Sequence, residues 1–253
     1  MKKLIIAVLC SLVLISGIRA QDQPVDSLII QGKKMLSAAL TNWNEQELMQ
    51  TRAYFERLLP GENYAWLIHY YIGFADYRLI SYYFSKNQQD RAERFIEDGI
   101  DHLKKSIELK DDFAESQSLL SSIYGNKIAV SPFKAITLGP KSGSAMSKAM
   151  KIDPDNPRTH LIAGQSAYFT PKLFGGGKEK AKAELEKSIQ LFKTYEVASP
   201  LYPEWGHEEA YSWLGLLSAD QEDFETAVVN YQHALEINPD YGWVKFVLLP
   251  EAE

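Results

Sequence analysis

The sequence predicts an all-α fold, a right-handed α-solenoid of about five antiparallel helix pairs followed by a C-terminal helix. Three observations predict it. Apolar residues recur at mixed three- and four-residue spacing over most of the chain. No segment alternates apolar and polar residues as a half-buried strand would. Small residues recur where two helices would have to approach closely.

Composition agrees with a folded chain. Of 253 residues, 45% are hydrophobic, 24% are charged and 12% are aromatic, a balance that sets aside disordered and low-complexity classes. A formal charge of −6 argues against a non-specific nucleic-acid binder. Cys10, the single cysteine, excludes a disulfide framework and any Cys-rich metal site.

Residues 1–20 read as an export signal. Lys2 and Lys3 form a basic start, Leu4 to Ile18 is almost unbroken apolar sequence, and Ala20 closes a cleavage triplet. A spanning helix needs about 20 apolar residues, and the polar stretch after Ala20 looks like a mature N-terminus. Leu9 precedes Cys10 in mid-run, unlike the bacterial lipobox. Cleavage would remove three basic residues and no acid, leaving a mature chain of net charge −9 without cysteine. The expected organisation is a signal at 1–20 and a single helical domain at 21–253, in a periplasmic or secreted protein.

The clearest repeat runs from Glu208 to Tyr241. Leu214-Gly215 is followed by Ala227, Tyr231, Ala234 and Pro239. Gly215, Ala227 and Ala234 let two antiparallel helices approach while Leu214, Phe224 and Tyr231 fill the gaps. These positions resemble the 34-residue tetratricopeptide repeat. One such pair cannot bury its own apolar face, so stacked copies are expected. Upstream, Leu120-Ser121 with Ala149 and Pro154 forms a third pair carrying nine extra residues within 126–139. Ala163-Gly164 and Ala181 form a fourth with five extra residues in 170–177. The first two pairs rest on periodicity, around Gly32 and Gly73, with the first closed by Pro60-Gly61. Gly175 to Lys178, preceded by Phe174, is similar to a feature of some exported bacterial tetratricopeptide proteins.

Chemistry-bearing motifs are missing or incomplete. The GGGK at 175–178 lacks the upstream Gly and following Ser or Thr of a phosphate loop, and reads as a turn admitting positive φ. His69, His102, His160, His207 and His233 include no pair four residues apart, as a helical zinc site requires. Asp153 to Pro157 lacks the Gly and distal Glu of a calcium loop, and reads as a turn with Asn156 capping the next helix. No Ser sits in a nucleophile elbow. The expectation is no enzyme, no metal and no cofactor.

A surface remains as the functional part. The resemblance implies a concave face lined by the first helix of each pair. Around the glycine sites this places Tyr70, Phe74, Tyr77, Arg78, Ser118, Ser122, Asn126, Arg158, Leu161, Gln165, Tyr168, Glu209, Ser212 and Asp220 on that face. The family's peptide-carboxylate clamp is not reproduced, since only Asn126 and Arg158 offer comparable groups. Tyrosines 70, 71, 77, 82 and 83 cannot all point one way, so some must pack between helices.

The first reading is a non-enzymatic interaction module or scaffold of the cell envelope. It would bind a protein or peptide on the concave face or at the C-terminal end, without nucleic acid and without spanning a membrane. The alternative is a solute- or glycan-handling protein using an aromatic groove. Between Tyr241 and Leu249 only Lys245 is charged, so Trp243, Phe246 and Val247 should form an apolar interface for a partner or a second copy. Phe133, Ile136, Leu173 and Phe174, on two neighbouring loops, are expected to pack together as a small cluster.

Overall fold

The computed structural model describes residues 24–61 and 63–252, so the expected signal lies outside the described residues. The described chain is built of helices joined by short turns, apart from one long irregular connection at 193–206. The first pair is α1 (Val25–Asn42) and α2 (Glu45–Glu56), and the second is α3 (Ala65–Ser85) and α4 (Gln89–Leu109). The third is α5 (Ala114–Val130) and α6 (Ala135–Ile152), and the fourth α7 (Pro157–Phe169) and α8 (Lys178–Phe192). The fifth is α9 (His207–Ala219) and α10 (Phe224–Ile237), after which a π-helical turn (Val244–Leu248) leads into α11 (Leu249–Ala252). Partners pack side by side within each pair, and α3, α5, α7 and α9 follow one another along the solenoid.

The small residues do what their spacing demands. A Cβ on Gly73 would sit 2.7 Å from Leu103, one on Gly164 2.7 Å from Leu185, and one on Gly215 2.5 Å from the Tyr231 ring. At each site the second helix lays a bulky side chain against bare backbone of the first, which any larger residue would push away. The third pair solves the problem differently. Ser121 Oγ donates to Ser142 O at 2.9 Å and Ser142 Oγ donates back to Ser121 O at 2.9 Å, so two hydroxyls bridge the approach.

Helix ends follow local chemistry. Asn156 Oδ1 accepts from the Arg158 and Thr159 amides at 3.0 and 3.1 Å, Asn44 accepts from Glu47 N, and Asp223 accepts from Thr226 N. Gly175 and Gly177, at φ 82° and 112°, supply the left-handed turn before α8. The nine extra residues of the third pair do not form a long loop. They extend α5 and α6, leaving only a 3₁₀ turn, Pro132–Lys134, between them. The C-terminal helix also runs past Leu249 to Ala252. Its π turn precedes Pro250, whose ring would clash with a regular α-helical carbonyl four residues back.

One expectation is overturned. Phe133, Ile136, Leu173 and Phe174 form no cluster: they are 78%, 86%, 88% and 75% exposed. Both loops are single 3₁₀ turns that begin at or just after a proline, Pro132–Lys134 and Lys172–Phe174, too short to fold back on one another.

Candidate functional site

The solenoid curls until its later helices meet its earlier ones, and the concave groove is filled by the chain itself. The filling is the α8–α9 connection, residues 193–206. Trp205 stacks on Phe74 with centroids 4.6 Å apart and planes 16° from parallel, and its indole N–H donates to Tyr70 Oη at 3.0 Å. Tyr71 Oη donates to Leu201 O at 2.6 Å. Tyr202 lies edge-on to Trp66 and Phe113. Lys33 Nζ, on α1, reaches Pro200 O at 2.6 Å and Glu204 at 2.7 Å.

The concave positions are therefore mostly covered. Tyr70, Phe74, Tyr77, Arg78, Ser118, Arg158, Leu161, Gln165, Glu209 and Ser212 are all buried. The Ser118 and Ser212 hydroxyls donate to carbonyls of their own helices, while the larger polar side chains pair between helices instead of facing solvent. Arg78 forms a two-point ion pair with Glu209, one arm at 3.0 Å, and its guanidinium lies 4.7 Å from the Phe74 ring and 5.1 Å from Trp205. Tyr77 Oη donates to Gln165 at 3.0 Å, and Arg158 pairs with Glu115 at 3.2 Å. Ser122, Asn126 and Tyr168 are half-buried and Asp220 is exposed. An open aromatic groove, as the sequence reading expected, is thus replaced by an internal core. The reason is that 193–206 brings Leu201, Tyr202 and Trp205 to rings that would otherwise face water.

A different aromatic surface remains accessible. Tyr168 and Phe169 at the end of α7, Trp213 on α9 and Trp243 on the C-terminal helix form a continuous strip. Trp213 lies 5.9 Å from Tyr168, 5.7 Å from Phe169 and 5.5 Å from Trp243. Phe169 is 71% exposed, while Trp213 and Trp243 are half-buried. Beside it stand Phe246, 73% exposed, and Val247, 41% exposed, while Val244 and Leu248 of the same turn are buried against the fifth pair. Gly242 is held close to Thr41 O, so this end also touches α1. Lys178 pairs with Asp220 at 2.5 Å beside the strip. Burial, reinforced by that carboxylate, raises the Tyr168 hydroxyl above its ordinary pKa, so it stays a neutral donor.

Phe169 and Trp213 were missed as site residues by the sequence reading. Each is one position from a concave residue, Tyr168 or Ser212, and which neighbour is covered depends on how the α8–α9 connection crosses the groove. One histidine pair spans two helices and so leaves no spacing signature along either. His69 and His102 meet across α3 and α4 with Nδ1 atoms 2.9 Å apart. Burial, the facing His102 and Lys105 pull His69 down to about 4. Among the described residues no third His, Cys, Asp or Glu joins them in metal-holding geometry. No described helix is long and apolar enough to cross a membrane.

Known proteins share this architecture. A family model described as the tetratricopeptide repeat matches residues 208–241, and a search of curated proteins by sequence finds no match. The structure is similar to that of the HusA haemophore from Porphyromonas gingivalis, with a TM-score of 0.67 and 26% identity, covering 79% of this chain and 96% of that one. It is also similar to a thermophilic tetratricopeptide protein of Thermus thermophilus, with a TM-score of 0.64 and 16% identity over 90% of this chain and 98% of that one. At that identity the second likeness shows the fold alone. The chain thus carries a tetratricopeptide repeat at its C-terminal end within an all-α solenoid of tetratricopeptide type.

Proposed function

We propose that this chain is an exported, non-enzymatic binding protein of the cell envelope that presents the strip of Tyr168, Phe169, Trp213, Trp243 and Phe246 to a protein or peptide partner. The observation that carries the reading is the strip itself: large rings, partly bare, held on packed helices. Such rings bury much area at small entropic cost, which is how aromatic anchors dominate interfaces. Export is supported by the basic and apolar start of the sequence. Residues of the covered groove serve packing here, so binding is assigned to the strip and the C-terminal end, with Val247 at its margin.

A photo-reactive residue at position 246, compared with one at an exposed position of α4, tests the reading in the native envelope. A specific adduct from 246 that disappears with Trp213→Ala supports it. Equal labelling from both positions removes it.

A second reading, capture of a flat apolar ligand such as haem, is favoured by one observation: the 26% identical protein, matched over 96% of its length, is a haemophore. Stacking on Phe169 and Trp213 would suit a planar ring system. Titration with haemin separates the two. A saturable absorbance change lost in Phe169→Ala and Trp213→Ala supports ligand capture, and an unchanged spectrum leaves the protein partner.

A further inference from the structure

The charge of the chain is unevenly placed. Residues 116–152 contain five lysines and no Asp or Glu, although the whole chain has 33 acids against 27 basic residues. The one acid of the third pair, Glu115, is buried against Arg158. Within the pair, Lys134, Lys141 and Lys148 are spaced by seven, two helical turns, so they follow one side of α6. Among the described residues none of these three, nor Lys151, takes part in an ion pair, whereas Lys127 is held by Glu97 at 2.5 Å. Lys141 and Lys148 are exposed.

This row starts at the edge that carries the four bare apolar side chains and runs away from it along α6: at 1.5 Å per residue Lys141 lies about 10 Å and Lys148 about 21 Å from Lys134. Phe133 and Ile136 sit at the α5–α6 turn, Leu173 and Phe174 at the α7–α8 turn, and these turns leave neighbouring pairs on the same side of the solenoid. Lys134 adjoins Phe133, and Lys172, 83% exposed, adjoins Leu173. Each turn thus presents a large apolar tip beside an ammonium group, on a 3₁₀ turn stiffened by proline.

We propose that this edge docks on an anionic membrane surface, with Phe133, Ile136, Leu173 and Phe174 entering the headgroup–acyl boundary and the nearby Lys134, Lys141 and Lys172 facing lipid phosphates. Two features select a lipid surface over an acidic protein. The apolar tips protrude singly from separate turns and offer no pocket or continuous face for a complementary protein core. Lys134 and Lys141 take part in no ion pair among the described residues and Lys172 is held only at 4.0 Å by an exposed Glu179, and lysine near anionic lipid acts as a point charge without needing a shaped acceptor. Asp220, Glu222 and Asp223 on the exposed α9–α10 turn, next to the fourth pair, would be repelled from the same surface, which tilts the docked protein so that the third pair leads toward the bilayer. This docking is separate from the aromatic strip and does not depend on what the strip binds.

Co-sedimentation of residues 21–253 with vesicles of phosphatidylcholine alone, or with phosphatidylglycerol added, tests the proposal. Binding is expected to the mixed vesicles only and to fall with added salt. Neutralising lysines as Lys134→Gln and Lys141→Gln should weaken it by about fivefold each. The Phe133→Ser, Phe174→Ser double variant should abolish it while melting like the wild type, since those rings bury little in the free protein. A wild type that stays in the supernatant with both vesicle types overturns the proposal and turns the edge toward a protein partner. Equal pelleting of wild type and the double-serine variant overturns it as well.

Discussion

The α8–α9 connection and the turns at 131–134 and 170–177 are alike in composition and opposite in fate. All carry proline and bulky apolar side chains, yet Leu201 is buried and Trp205 half-buried while Phe133, Leu173 and Phe174 stand in water. What differs is the facing surface. Residues 193–206 cross the concave side, where α3 offers Tyr70, Tyr71 and Phe74. The two short turns leave the edge and meet nothing. A loop's apolar content therefore reports a need for a partner surface, and tertiary geometry decides whether the chain itself supplies it.

The sharpest way to break the filled groove is to remove half of its buried ion pair. Glu209→Gln leaves the Arg78 guanidinium in the interior without its carboxylate and should cost about 3–5 kcal/mol in urea unfolding. Pairing Glu209→Leu with Arg78→Met should recover most of that loss, because no uncompensated charge remains. Trp205→Ala comes next: losing the stack on Phe74 and the bond to Tyr70 should cost about 3 kcal/mol.

Acidification should produce a smaller effect, and it acts away from the groove. His69 and His102 both have lowered pKa values, chiefly through burial. Between the ordinary histidine pKa of 6.5 and about 4, the unfolded chain takes up protons that folded His69 refuses, so stability falls as pH falls through that window. His160 has the opposite sign. Burial lowers it, but Glu184 and the Pro154 carbonyl outweigh burial and raise it, so its contribution is present at low pH and is lost as pH rises through its raised value. Asp76, raised by burial to about 7, acts the other way over this range, so the His69 contribution is read as a difference: between pH 7 and pH 5 wild type should lose stability relative to His69→Gln in melting curves. The smallest effect belongs to the bare turns: Phe174→Ala should change stability by less than about 0.5 kcal/mol, against about 2–4 kcal/mol had that ring been packed.

Much of the fold was legible in particular residues. Gly73, Gly164 and Gly215 marked the close approaches, and Asn156 with Pro157 marked a helix start, because those requirements are local in sequence. The same logic applies to the C-terminal turn, where Val244 and Leu248 pack and Phe246 stays bare. The groove was not legible, because Tyr70 and Trp205 are 135 residues apart and helical periodicity carries no record of superhelical curl. Nor did periodicity show that extra residues in the third pair would lengthen helices: the run 126–139 contains proline and glycine, yet only Ser131 to Lys134 leaves the α-helix.

The central claim, that the molecule fills its own groove with residues 193–206, is tested most directly by nuclear Overhauser contacts from the Trp205 indole, assigned by comparison with Trp205→Phe. The structure predicts strong contacts from that indole to the Phe74 and Tyr70 rings, and slow solvent exchange of its N–H. An indole N–H that exchanges as fast as an exposed one, with no contact to either ring, would contradict the filled groove and return the concave face to the list of binding surfaces.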